Sequence, residues 1–138
     1  MKGHSERLRQ ALEQRAARVG VIGLGYVGLP LAVAFGKAGF SVLGVDVDRE
    51  RVARLNAGDS PVEDVGSDEL ATLVASGRLK ITTEPSALSE ADAIIICVPT
   101  PLGKSREPDI SYIVAAADAV AAVLRPGQLV VLESTTYP

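Results

Sequence analysis

The sequence predicts an α/β protein on a doubly wound parallel sheet of strand order 3-2-1-4-5, and three observations carry that prediction. Gly23, Gly25 and Gly28 stand in the spacing G-x-G-x-x-G directly behind the apolar, β-branched run Val19, Val21 and Ile22, the pattern of a buried strand, a tight turn and a helix. A second apolar run, Val42 to Val45, ends in Asp46, about 20 residues beyond the fingerprint. Three more apolar runs follow with helical stretches among them, and such alternation implies parallel strands joined by right-handed crossovers.

Composition sets the outer bounds. A chain of 138 residues, 47% apolar and 22% charged, has the length and balance of one soluble globular domain. The net charge of −3 comes with no basic patch, which argues against a nucleic-acid partner. No apolar run is long enough to span a bilayer, and the charged N-terminus has no signal-peptide pattern, so no membrane partner is expected. A single cysteine excludes an internal disulfide and fits a reducing compartment, with the cytoplasm as the expected location.

Taken in order, residues 1–17 read as a helical extension and 18–138 as the dinucleotide-binding domain. Residues 5–17 are rich in helix formers with Leu8, Leu12 and Ala16 on one side, and the competing reading is a frayed tail. His4, the sole histidine, reads as part of a disordered tail rather than as a catalytic group. After the first strand each glycine has its own task. Gly23 permits the turn, Gly25 keeps side-chain atoms away from a pyrophosphate, and Gly28 lets the helix approach the sheet. Amides near Tyr26 and Val27 would point at the phosphates, where the helix dipole also favours an anion. Pro30 is tolerated only in a first turn, which places the helix start at about Tyr26. Gly39 stops that helix before the second strand.

A helix from about Asp48 to Asn56 precedes a polar turn through Gly58 and Pro61. Another spans about Ser67 to Ser76, with Ser67 as N-cap, Asp68 and Glu69 in its first turn and Gly77 past its end. Leu79 to Thr82 is a short third strand and Ala91 to Val98 a buried fourth. Within it Cys97 lies in an apolar run, where burial raises a thiol pKa and keeps it inert, so a core role is expected. A helix from about Ser111 to Leu124 is marked by Asp109 as its cap and by Pro126 and Gly127 after it. Leu129 to Glu133 is the fifth strand.

In such sheets ligands sit at the carboxyl ends of the strands where the order reverses. There Asp46 could accept hydrogen bonds from the adenine-ribose hydroxyls, and its charge would repel a 2′-phosphate, favouring NAD over NADP. A helix cap or turn acid is the other reading of Asp46. The tips Val98, Pro99, Thr100, Pro101 and Glu133, Ser134, Thr135, Thr136 are both expected beside the first strand, facing one crevice. Their hydroxyls could bond ribose or amide groups, or cap local turns. The loop Gly103 to Asp109, with Lys104, Arg106 and Glu107, reads as solvated charge, with a substrate border as the alternative. No metal site is expected.

The blocks RVGVIGLGYVGLPLA, VDVDRERVARLNAG, ADAIIICVPTPL and LVVLESTTYP resemble the N-terminal NAD-binding domain of the UDP-glucose/GDP-mannose dehydrogenases, over residues 18–138. The run CVPTPLGKSREPDISYI is most similar to the branch acting on UDP-N-acetylhexosamines, of the UDP-N-acetylglucosamine 6-dehydrogenase kind, which serves polysaccharide biosynthesis. The resemblance implies oxidation of the C6 alcohol of a nucleotide sugar to a carboxylate in two NAD-dependent steps. It also implies that Gly25, Tyr26 and Val27 form the pyrophosphate loop and that Asp46 contacts ribose. By the same resemblance Arg51 is a second contact at the adenosine end, and Thr100 and Thr135 lie along the cofactor with their neighbours Val98, Pro99 and Ser134. In the family that latter threonine, here Thr135, also positions a catalytic water.

The family's second oxidation uses a cysteine in a later domain, with a lysine, an asparagine and an aspartate, and none of those motifs occurs here. The chain stops at Tyr137 and Pro138 within a family motif, so the expectation is a fragment, truncated before the end of the domain, that binds NAD without turnover. Family dimers rest on a later helix, which makes a homodimer the expectation for a full-length enzyme. UDP-glucose and GDP-mannose dehydrogenases remain alternatives. So do a non-enzymatic NAD-sensing module and other dehydrogenases or methyltransferases on the same fold, since fold alone does not separate these.

Overall fold

The computed structural model of the chain describes residues 3–133. Strands β1 (Arg18–Ile22), β2 (Ser41–Val45), β3 (Leu79–Thr82), β4 (Ala93–Ile96) and β5 (Leu129–Leu132) form one sheet in the order β3-β2-β1-β4-β5. Every pairing is parallel, as the strand-helix alternation requires. Helices α1 (His4–Glu13), α2 (Gly28–Lys37), α3 (Arg49–Asn56), α4 (Ser67–Ala75) and α5 (Ser111–Val123) and a 3-10 segment, Pro85–Glu90, make up the connections.

The central strands are covered on both faces, which is why they read as continuous apolar runs rather than alternating ones. Val19, Val21, Val42, Leu79, Ile81 and Ile95 pack with Leu29 and Val33 of α2, Leu55 of α3 and Leu70 of α4. Their neighbours Ile22, Leu43, Val45, Ile94 and Ile96 face the opposite way, onto Leu88 of the 3-10 segment and Ala116 and Val120 of α5. This two-residue period sorts one sheet into two cores. β5 lies at the edge with one neighbour, and Leu129, Val130 and Leu132 on it are exposed.

Several local expectations need correction. His4 is the first residue of α1, and its ring lies against Gly127, so it is helical rather than part of a disordered tail. That helix ends at Glu13, with Arg15 in the left-handed region at φ 56°, and Ala16 is exposed rather than aligned with Leu8 and Leu12. Its side chains pair on the surface, Arg9 with both Glu6 and Glu13.

Helix α2 begins at Gly28, two residues later than Pro30 suggested, because residues 25–27 form a preceding turn in which the Leu29 amide bonds Gly25 O at 3.1 Å. Ser67 does not cap α4. Gly66 occupies that position, and Ser67 Oγ instead accepts the Ser60 amide at 3.1 Å. Asp109 lies one residue before the cap of α5, Ile110, and takes the Ser111 amide at 2.9 Å. Hydrogen bonds from Ser111 hold its carboxyl below the usual range. Strand β4 starts at Ala93, since Ala91 closes the 3-10 segment through a bond to Leu88 O. That segment was not anticipated, although Pro85 at its start was the available signal. Finally, β5 neighbours β4, not β1, so only one of the two strand tips lies beside the first strand.

Candidate dinucleotide site

The site grows from the turn that leaves β1. Gly23 has φ +92°, which side-chain-bearing residues rarely adopt, and a Cβ there would stand 2.8 Å from Cys97 O. Its amide bonds Val45 O at 2.8 Å, so the turn is fastened to the end of β2. A Cβ on Gly28 would overlap the Gly23 carbonyl, and the start of α2 can therefore press onto the turn only as glycine. In front of Gly25 the situation is the reverse, because an added Cβ would meet no atom within 4 Å. Among the described residues the amides of Gly25, Tyr26, Val27 and Gly28 have no hydrogen-bond partner. Unpaired donors at the positive end of a helix, with open space in front of Gly25, make an anion cradle.

Asp46 closes one side of that cradle. It is 6% exposed, and its Oδ2 accepts the Leu24 amide at 2.8 Å and Arg51 Nη1 at 3.1 Å, while Oδ1 accepts the Asp48 amide at 2.9 Å. The cap of α3 is Asp48, which takes the Glu50 and Arg51 amides. Asp46 is thus the turn acid that the second reading of the sequence gave, joining the exit of β1 to the start of α3. A carboxylate offers about four acceptor positions, and three are occupied.

Beyond Asp46 lies a recess of about 220 Å³ whose walls include Leu24, Gly25, Tyr26, Glu50, Arg51, Arg54, Pro61 and Val62. Drug-sized ligands fill about 300–1,000 Å³, so this space suits one moiety of a larger molecule. Sequence reasoning reached Gly25, Tyr26 and Arg51 but missed Arg54, Pro61 and Val62. Tyr26 is 84% exposed, on the rim.

On the other flank the tip of β4 abuts the glycine turn. Cys97 donates its amide to Ile22 O at 2.7 Å, and the Val98 amide lies 3.1 Å from where a Gly23 Cβ would be. Pro99 and Thr100 continue from there, the first exposed and the second half-buried. A second, apolar hollow of about 550 Å³ runs between Val27, Pro30, Leu31 and Ala34 of the glycine turn and α2 and Ile95 of β4, Val131 of β5 and Glu133 just after it. Ser134 and Thr135 lie outside the described residues.

Cys97 is buried, and burial, with the Glu133 carboxylate adding to it, pushes its thiol up to about 11. The loop holding Lys104, Arg106 and Glu107 is exposed and closed by a Leu102–Pro108 bridge. Among the described residues no group of three or more His, Cys, Asp or Glu is placed to hold a metal ion, and no helix is long and apolar enough to cross a membrane.

Comparison with known proteins agrees with this geometry. Residues 17–138 match the UDP-glucose/GDP-mannose dehydrogenase family, NAD binding domain. The chain is 46% identical over 121 residues to a UDP-N-acetyl-D-mannosamine dehydrogenase of Campylobacter jejuni, covering 86% of this chain and 29% of that protein. It is 44% identical over 119 residues to an NDP-N-acetyl-D-galactosaminuronic acid dehydrogenase of Ralstonia nicotianae, covering 86% and 27%. A solved UDP-D-ManNAc dehydrogenase from Pyrococcus horikoshii superposes with a TM-score of 0.80 at 39% identity, over 86% of this chain and 28% of that one. The chain spans under a third of the length of these relatives. With the glycine turn, the acid after β2 and the 3-2-1-4-5 sheet in place, the chain belongs to the UDP-glucose/GDP-mannose dehydrogenase family, as an NAD-binding domain.

Proposed function

We propose that this chain is the cofactor-holding part of an NAD-dependent dehydrogenase that converts the C6 alcohol of a nucleotide-linked N-acetylhexosamine to the carboxylate. The observation that carries the reading is the cradle itself: the amides of residues 25–28 are unpaired among the described residues and free space lies in front of Gly25, with a buried carboxylate beside them. The pyrophosphate would rest on Gly25, Tyr26, Val27 and Gly28, and the adenosine end would enter the recess beyond Asp46. Gly23 serves by shaping the turn. Val98, Pro99 and Thr100, continuing from the β4 tip against that turn, would border the cofactor on its other flank, and Ser134 and Thr135 are proposed with them on the motif alone. Thr135 is further proposed to position a water during catalysis.

Asp46 has one acceptor position left on Oδ1. A second ribose hydroxyl would bond Oδ2 only if Arg51 moved aside, so ribose binding and the Asp46–Arg51 ion pair compete. When bound, the nicotinamide supplies the hydride acceptor. The protein's share is binding and orientation, and hydride transfer needs the sugar carbon held about 3–3.5 Å away, which requires sugar-binding walls that residues 3–133 do not form. The substrate class rests on the relatives above, named for mannosamine and galactosaminuronic acid. The glucosamine form is the finer proposal, carried by the resemblance of residues 97–113, and a UDP-linked sugar, a homodimeric whole enzyme and a cytoplasmic setting belong to the same reading.

Titration calorimetry of the purified chain with NAD and NADP tests it. NAD is expected to bind, NADP more weakly, and UDP-sugar oxidation by these 138 residues is expected to be undetectable. Absence of NAD binding overturns the cofactor reading.

A further inference from the structure

Two arginines, one helical turn apart on α3, line the same 220 Å³ recess, and residues at this spacing are neighbours on one helix face. They are drawn toward opposite ends of the helix. Arg51 turns to Asp46, which precedes α3, at 3.1 Å, whereas Arg54 Nε donates to Oδ2 of Asp59, which follows α3, at 2.9 Å. The Asp59 amide also bonds Arg54 O at 2.9 Å, so the arginine is gripped at its backbone and its guanidinium by one residue. The segment that begins with Asp59 goes on to supply two further lining residues, Pro61 and Val62. Its course is set by the Ser60 amide on Ser67 Oγ and by Ser60 Oγ, which bonds both polar backbone groups of Val62.

We infer that Arg54, anchored through Nε by Asp59, is the surface on which the adenine ring of the dinucleotide stacks. Asp59 is the positioning residue that keeps it there. A guanidinium is planar, weakly hydrated and stacks on aromatic faces, which a lysine ammonium does not reproduce. Left free, an exposed arginine would have to give up its rotamer freedom when the ligand arrives. The bond through Nε lowers that cost beforehand, and Pro61 and Val62 add apolar lining to the same recess. This inference rests on the proposed placement of the adenosine end in the recess.

The test uses the full chain, with NAD and ADP-ribose as probes in calorimetry. Arg54→Ala and Arg54→Lys should each weaken ADP-ribose about threefold to tenfold, the size expected for a partly exposed cation–π contact. Asp59→Ala should weaken it to a similar extent, and Asp59→Asn, which keeps an acceptor for Nε, should restore most of the loss. In the Arg54→Ala background Asp59→Ala should cost nothing more, a result that a merely structural role for Asp59 would not produce. Thermal unfolding of all variants should stay near the parent, since both side chains are about half exposed. Arg54→Lys binding as tightly as the parent would show a charge effect only and overturn the stacking role. Equal binding by Arg54→Ala would remove Arg54 from the site altogether. If the unaltered chain binds neither probe, the cofactor reading fails and this inference with it, whereas parent binding with unaffected variants defeats the inference alone.

Discussion

The Leu24 amide donates to Asp46 Oδ2 at 2.8 Å, across 22 positions of sequence. The acid that ends the second strand is therefore tied to the turn that leaves the first. One carboxylate fixes the shape of the glycine turn, so the two halves of the fingerprint are a single hydrogen-bonded object, and under the proposed function the same group would also meet the ribose.

Removing that carboxylate should damage both roles. Asp46→Ala strands the buried Leu24 amide, at about 1–3 kcal/mol, and frees the Asp48 amide, which lies in an exposed residue that water reaches, so it should lower stability as well as NAD affinity. Asp46→Asn keeps the shape and one acceptor, and separates the two effects. Its stability should fall less, while NAD binding weakens by the about 1.5–3 kcal/mol of a charge-assisted bond and the preference over NADP narrows. Denaturant unfolding and calorimetry on both variants check this, and unchanged NAD affinity in Asp46→Asn would remove the ribose role.

Gly25 and Gly28 should fail in opposite ways. A valine at 25 enters open space and should leave stability within about 0.5 kcal/mol, as at other sites free of packing, yet abolish measurable NAD binding by filling the cradle. An alanine at 28 meets the Gly23 backbone, and overpacking of this kind costs about 1–3 kcal/mol or more. Melting curves alongside calorimetry distinguish the pair.

The pH dependence of stability should carry a Cys97 component. The thiol is shifted from 9.0 up to about 11, chiefly by burial. Below pH 9 folded and unfolded chains both hold the proton. Between pH 9 and 11 the unfolded chain releases it while the folded one retains it, so folding weakens as pH rises through that window. The difference in unfolding free energy between the parent and Cys97→Ala should shrink from pH 8 to pH 10.5. At pH 8 the folded thiol should also react slowly with iodoacetamide, and rapid alkylation would contradict its burial.

At the amino end of the sheet Arg125 offers a control. It reaches Ser89 O at 3.1 Å, Ala91 O at 2.9 Å and Asp92 Oδ1 at 3.1 Å, while Asp92 Oδ2 accepts the Arg18 amide. Arg125→Ala should cost about 1–2 kcal/mol of stability, in the range of bonds to charged groups, and leave NAD affinity untouched because the cradle lies at the other end. A change in affinity would mean that the two ends are coupled.

Much of this architecture was legible from the chain because it depends on what single residues can do. Gly23, Gly39, Gly58, Gly77 and Gly127 all take positive φ, and each ends or begins an element where the sequence placed a break. β3 at Leu79–Thr82 was read to the residue. In two of the misses a local rule gave way to a competing hydrogen bond. Ser67 could cap α4, but its hydroxyl is already engaged by Ser60. Pro30 allows a helix start at Tyr26, but the turn that opens the cradle takes those residues first.

By itself the sequence determined the strand order, the glycine turn and the presence of an acid after β2, since apolar period, missing side chains and charge are properties carried by residues in order. Only the tertiary structure decided what Asp46 bonds, and that Arg54, Pro61 and Val62 wall a recess with Leu24 and Arg51, the two residues bonded to Asp46 Oδ2. Those outcomes depend on segments far apart in the chain meeting at the carboxyl end of one sheet, and no local pattern encodes which side chain arrives opposite which.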